Sequence, residues 1–279
     1  MRERSAAVFA EGFVFLEAPR WRHNRLWVSD VYDYKVYTLE ADGRRTLVCP
    51  VPNRPSGLGF LPDGTPIVVS ASDRKLMKIA DGALSVYANL ASYAAGDVND
   101  FVVDESGRIY VGNFGYDFLG GAPIATTSLH AVEHDGSVRV AASGVEFPNG
   151  IIIKDRGRTL VVAETWAGRL TAFDRSVDGA LSRMRVYADL GPRQPDGLCV
   201  DAEGGVWVGC YNTGEFLRVL EGGAVSDRIA TDGAAVSCCL GGDKGTTLFL
   251  TTCGATMDDI NAGKRLAKVC VADVDIPAT

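Results

Sequence analysis

A chain of 279 residues with 47% hydrophobic residues and 32 glycines can bury a substantial core, and glycine at that density points to a turn-rich β protein. Its formal net charge of −7 argues against nucleic acid and anionic membranes as partners. No stretch approaches the ~18 apolar residues of a membrane span.

In chain order, residues 5–10 (SAAVFA) read as a strand that belongs to no unit of its own. The charged residues around it leave no apolar run of signal-peptide length, so a cytoplasmic protein is expected. From residue 17 onward one pattern recurs. A polar residue is followed 10–12 positions later by an apolar, β-branched or aromatic strand: RLWVSD (25–30), TPIVVS (65–70), RIYVGN (108–113), TLVVAE (159–164), GVWVGC (205–210) and TLFLTT (247–252). In the first five units a further strand follows, then a tight turn such as Asp42-Gly43, Asp135-Gly136 or Gly222-Gly223, then a last strand. Glycine in such dipeptides accepts positive φ at no steric cost. In the sixth unit, 268–275 is the final recognisable strand. A period of roughly 40–50 residues with several strands per unit is the pattern of a β-propeller. The expected fold is therefore all-β. It is one six-bladed propeller domain over 1–279, with four-stranded antiparallel blades and residues 5–10 closing the ring as outer strand of the sixth. The segment 114–127 departs most from the repeat and reads as a loop over one face.

The polar residues at the repeating phase are Glu17, Ser56, Asn99, Asn149, Asp196 and Ser237. Each is expected just ahead of the innermost strand of its blade, so the six converge on the ring axis. Two carboxylates, Glu17 and Asp196, and two amides, Asn99 and Asn149, make an all-oxygen set suited to Ca²⁺, Mg²⁺ or Mn²⁺. Zinc usually recruits His or Cys, and none of His23, His130 and His134 stands at the phase. The competing reading is that PNG (148–150) and PDG (195–197) are ordinary turn tripeptides. Ser56 and Ser237 lack a histidine at matching phase, so a serine nucleophile is not supported. Tyr116, Phe114 and Trp166 follow second strands and could wall a pocket. The seven cysteines contain no C-x-x-C and read as buried, reduced thiols.

EAPRW at 17–21, NDFVVDESGRIYVGN at 99–113, PNG at 148–150, AETWAGRLTAFD at 163–174 and PDGLCVDAEGGVWVG at 195–209 resemble the gluconolactonase family, which includes regucalcin and luciferin-regenerating enzyme. The resemblance implies a six-bladed propeller with one axial divalent metal, Ca²⁺ foremost and Zn²⁺, Mn²⁺, Mg²⁺ or Fe²⁺ as alternatives, and a small-molecule lactone as substrate. By the same resemblance Glu17, Asn149 and Asp196 match metal ligands, and Asp196 is also the usual candidate base. Asn99 matches a residue that touches substrate in some branches and metal in others. Asp117 falls where an acidic residue accepts sugar hydroxyls, and Asp97 replaces an arginine of the regucalcin-like lactonases. The water that opens the lactone would be activated either by Asp196 or by the cation's own field. Two rivals stand beside this reading: a phosphotriester hydrolase on the same axial site, and a non-catalytic metal- or ligand-binding propeller.

Overall fold

The computed structural model describes residues 1–279 and is almost entirely β. Two strands, β1 (Arg2–Arg4) and β2 (Ala7–Phe13), precede the first blade. Blade one is β3 (Leu16–Arg22), β4 (Arg25–Asp30), β5 (Lys35–Leu39) and β6 (Arg45–Pro50); blade two is β7 (Pro55–Phe60), β8 (Pro66–Ser70), β9 (Lys75–Ala80) and β10 (Ala83–Asn89). Blade three is β11 (Val98–Val103), β12 (Ile109–Asn113), β13 (Thr126–Val132) and β14 (Val138–Glu146). Blade four is β15 (Pro148–Lys154), β16 (Thr159–Glu164), β17 (Arg169–Arg175) and β18 (Leu181–Asp189). Blade five is β19 (Pro195–Val200), β20 (Val206–Cys210), β21 (Glu215–Val219) and β22 (Val225–Ala230). Blade six is β23 (Ala234–Gly241), β24 (Thr247–Cys253) and, after the short helix α1 (Met257–Asn261), β25 (Ala267–Asp273).

The outer strand of blade six is β2, antiparallel to β25. The ring is thus closed by the segment the sequence assigns to it. Not foreseen is β1, which runs parallel to β22 and gives blade five a fifth strand, with Arg4 Nε 2.7 Å from Asp227. The alternation of apolar residues along each strand places one buried cluster in each of the six gaps between neighbouring blades. Tyr110, Leu160 and Phe173, for example, lock blade three to blade four. The core is therefore six wedges rather than one centre, and the axis is left to the inner strands. No helix is long and apolar enough to cross a membrane. All seven cysteines are free, and six are buried.

The structure corrects the placement of the phase residues. They do not precede the inner strands but lie inside them, and in every blade the pairing of inner to second strand slips at that point. A bulge gives the inner strand an extra residue and re-aims the side chain there. The PNG and PDG glycines are not turn glycines either. A Cβ on Gly150 would lie 2.7 Å from the Asp196 carbonyl oxygen, and one on Gly197 would lie 1.9 Å from Ser237 Oγ. Glycine stands there because the inner strand presses against the next one around the ring, on its backbone at Gly150 and on the Ser237 side chain at Gly197.

Candidate active site at the ring axis

Five of the six phase residues, Glu17, Ser56, Asn99, Asn149 and Asp196, line one cavity of about 260 Å³. Ser237 is 1% exposed and does not line it. Two further tiers stand over this floor. Side chains two residues apart on a strand share a face, and the residue two positions before each phase residue forms the next tier: Phe15, Arg54, Asp97, Phe147 and Gln194. The residue just after each second strand forms the third: Val31, Ala71, Phe114, Thr165 and Tyr211. Phe118 and Leu119 of the 114–125 loop, Trp166, and Met257 and Ile260 of α1 complete the rim.

The floor is short of donors. Ser56 Oγ donates to Asn99 Oδ1 (3.0 Å), so that amide oxygen already has a partner. Asn149 Nδ2 donates to Thr165 Oγ1 (3.3 Å), and Thr165 in turn donates to the Pro195 carbonyl (2.8 Å). This relay turns the Asn149 amide so that its oxygen is free. Asp196 is 5% exposed, and its Oδ1 has no hydrogen-bond partner. Burial, and next the charge of Asp100, pushes its carboxyl well above the ordinary value. Burial and the charges of Asp196 and Asp100 do the same to Glu17, against the backbone of Ala18 and the charge of Arg20. Asp100 is held by Arg20 at 2.7 Å. A buried carboxylate oxygen without a donor is costly, and a hard cation is what would satisfy it.

The donor set fits such a cation. No three His, Cys, Asp or Glu side chains form a metal cage. Instead Glu17 and Asp196 supply charge, and Asn149 supplies a neutral oxygen. All-oxygen ligation with two charges suits Ca²⁺, Mg²⁺ or Mn²⁺ rather than zinc. The three histidines are elsewhere: His23 and His134 are exposed, and His130 packs edge-on to Tyr93 within β13.

Of the remaining site residues expected from the sequence, Asp97 lines the cavity but is not a free anion. Arg54, from the neighbouring blade, pairs with it and also bonds Ser72 Oγ at 2.9 Å. Asp117 and Tyr116 are not brought to the cavity. Asp117 is exposed and accepts the N–H of Gly120 at 2.9 Å, within its own loop. The Tyr116 hydroxyl accepts Trp166 Nε1 at 2.7 Å. Sequence reasoning missed Arg54, Phe147, Gln194 and Tyr211. The two fixed offsets, two before each phase residue and one after each second strand, would have found them.

A family model described as SMP-30/gluconolactonase/LRE-like region matches residues 15–254. Regucalcin of Danio rerio is 29% identical over 181 residues, which span 63% of this chain and 61% of the relative. Among solved structures, a calcium-binding protein, regucalcin, from Agrobacterium tumefaciens superposes with a TM-score of 0.85 at 22% identity, covering 100% of this chain and 97% of the other. A gluconolactonase from Xanthomonas campestris superposes with 0.79 at 22% identity, covering 97% and 89%. At such identities the likeness of the structures is one of fold.

Proposed function

Because the chain belongs to the SMP-30/gluconolactonase/LRE-like family, we propose that it is a hydrolase that opens a small lactone at the axial site, with a bound divalent cation. The observation that carries this reading is the Asp196 Oδ1 atom, buried without a partner beside Glu17 and Asn149 on the floor of an accessible cavity. A buried carboxylate oxygen without a donor is costly, and here it stands in a residue that lines an open cavity beside a second carboxylate. Glu17, Asn149 and Asp196 would hold the cation, which supplies polarisation of the acyl carbonyl and compensation of the oxyanion charge.

The protein's own residues do the rest. Thr165 fixes the Asn149 amide, and Ser56 fixes Asn99 beside it. Asp196 is assigned as the proton acceptor for the attacking water, because it is the carboxylate of the cavity floor with an oxygen that no protein group bonds. The water oxygen bonds to the acyl carbon, the ring C–O bond breaks, and the proton passes to the released oxygen, leaving a hydroxy acid. Phe118, Trp166 and α1 narrow the mouth and limit bulk water.

The test is removal and return of the metal. After dialysis against EDTA, lactone opening, followed by proton release, is expected to fall to background and to return with Ca²⁺, Mn²⁺ or Mg²⁺. Full activity in EDTA, or full activity in Glu17→Gln and Asp196→Asn, would falsify the assignment. Calcium binding by calorimetry with no turnover of any lactone would make the protein a binder instead.

A further inference from the structure

We infer that the substrate is a lactone carrying a flat, apolar group, and not a polyhydroxylated sugar lactone. The inference rests on the hydrolase reading above and concerns the second and third tiers of the same cavity. A sugar lactone presents hydroxyls around its whole ring, and a site for it needs unpaired polar groups to meet them, since buried hydroxyls without partners are costly. Above the floor this cavity has three, Gln194 and Tyr211 on the blade-five side and Tyr32 on the blade-one side, too few to ring a polyol. Arg54 and Asp97 are spent on each other, and Arg54 also on Ser72. Thr165 is spent on Pro195 and Asn149, and Asp117 faces its own loop.

What the tiers do offer is an aromatic wall on the side of blades three and four. Phe114 and Phe147 stack with centroids 4.4 Å apart and planes 8° from parallel. Trp166 lies 5.0 Å from Phe147, and Phe118 lies 5.4 Å from it. The Trp166 indole N–H is already bonded to Tyr116, so the faces these rings turn to the cavity are apolar. Across the cavity stand Phe15, Val31 and Ile260. Binding pockets of this kind take apolar bodies and use few polar groups to orient them. Here the orienting groups are the oxygens of the floor, which meet the lactone carbonyl end. The apolar end lies along the Phe147–Trp166 wall.

Two probes separate this inference from the function it rests on. Dihydrocoumarin and D-glucono-δ-lactone are compared as substrates. Their ring-nitrogen counterparts, 3,4-dihydro-2(1H)-quinolinone and D-gluconolactam, resist opening and are compared as ligands by titration calorimetry of the metal-loaded protein. The expected result is a kcat/KM for dihydrocoumarin at least about tenfold above that for gluconolactone, and a quinolinone affinity at least about tenfold above that of gluconolactam. Trp166→Ala should erase most of both preferences. Phe118→Ser, at a residue 38% exposed, should reduce them and guards against a folding defect in the first variant. Quinolinone bound with no lactone turned over sinks the hydrolase reading and leaves the apolar pocket standing. Gluconolactone preferred, or gluconolactam bound more tightly, overturns the inference and leaves the hydrolase in place.

Discussion

The strand β19 carries a buried aspartate at each end, and the two are treated in opposite ways. Asp201, just past its last residue, is fully buried and fully satisfied. It accepts the N–H groups of Glu203 and Gly205 at 3.0 Å each, and two N–H groups of Arg218 at 2.6 and 3.1 Å. Asp196, near the first residue, keeps an oxygen with no partner. Blade three repeats the scheme. Asp104 past the end of β11 is tied to Ser106, Arg108 and Arg175, while Asn99 at the start faces the cavity. In both strands the end away from the cavity is tied down by ion pairs and backbone donors, and in β19 the cavity end keeps an unsatisfied oxygen, which is where binding energy can be gained.

The sharpest way to break this comparison is to cut both ends alike. Asp201→Ala leaves Arg218 buried without its partner and is expected to lower unfolding stability by about 3–5 kcal/mol in urea melts. Asp196→Asn is expected to leave that midpoint unchanged or raise it, while kcat/KM for lactone opening falls on the order of 10²–10³-fold. A stability loss in Asp196→Asn as large as in Asp201→Ala would erase the contrast. Next in size is the metal. A cation at 100 times its Kd should stabilise the wild type by about 2.7 kcal/mol, read as a shift in melting temperature, and should not stabilise Glu17→Gln or Asp196→Asn.

The two ends should also respond to pH with opposite sign. Glu17 has its carboxyl raised above 4.5 by burial and then by the charges of Asp196 and Asp100. In metal-free protein its contribution to stability is present below the unfolded value and is lost as pH rises through the folded one. Burial pushes Asp104 up too, but hydrogen bonds from Ser106 and Arg175 outweigh it and hold the group below 3.8. Its contribution is present above that value and is lost as pH falls. Urea midpoints of EDTA-treated wild type and Glu17→Gln between pH 4 and 8 should therefore diverge as pH rises, with the variant the more stable. Coincident curves would show that Glu17 is not strained. The smallest expected effect is Arg4→Ala, about 1 kcal/mol or less from the Asp227 and Asp275 pairs.

The ring was legible because turn dipeptides and apolar strands recur at one period, and the closing role expected of residues 5–10, which the structure gives to Ala7–Phe13, followed from a strand left without a unit. β1 was not legible. Its three residues, Arg2–Arg4, are polar and pair at a sheet edge, where no apolar alternation is needed. The floor residues were readable from their shared phase, but the glycines after Asn149 and Asp196 were open to a turn reading. Their cause is a contact with the next blade, which lies dozens of residues away. The Arg54–Asp97 pair was hidden for the same reason, since its two members stand on different blades 43 residues apart. Asp117 failed in the other direction: a position in a loop fixes where a side chain can start, not where it points.

The pairing of β2 with β25 has a consequence for synthesis. Residues 7–13 leave the ribosome before blades one to five and residues 267–273 after them, so blade six is completed only when the other five exist. Until then β2 carries an open edge, the kind of surface that recruits other chains. The parallel contact of β1 with β22 becomes available one blade earlier, as soon as 225–230 have emerged. Moored there, the nascent chain holds its first long strand against the gap that the final blade will fill.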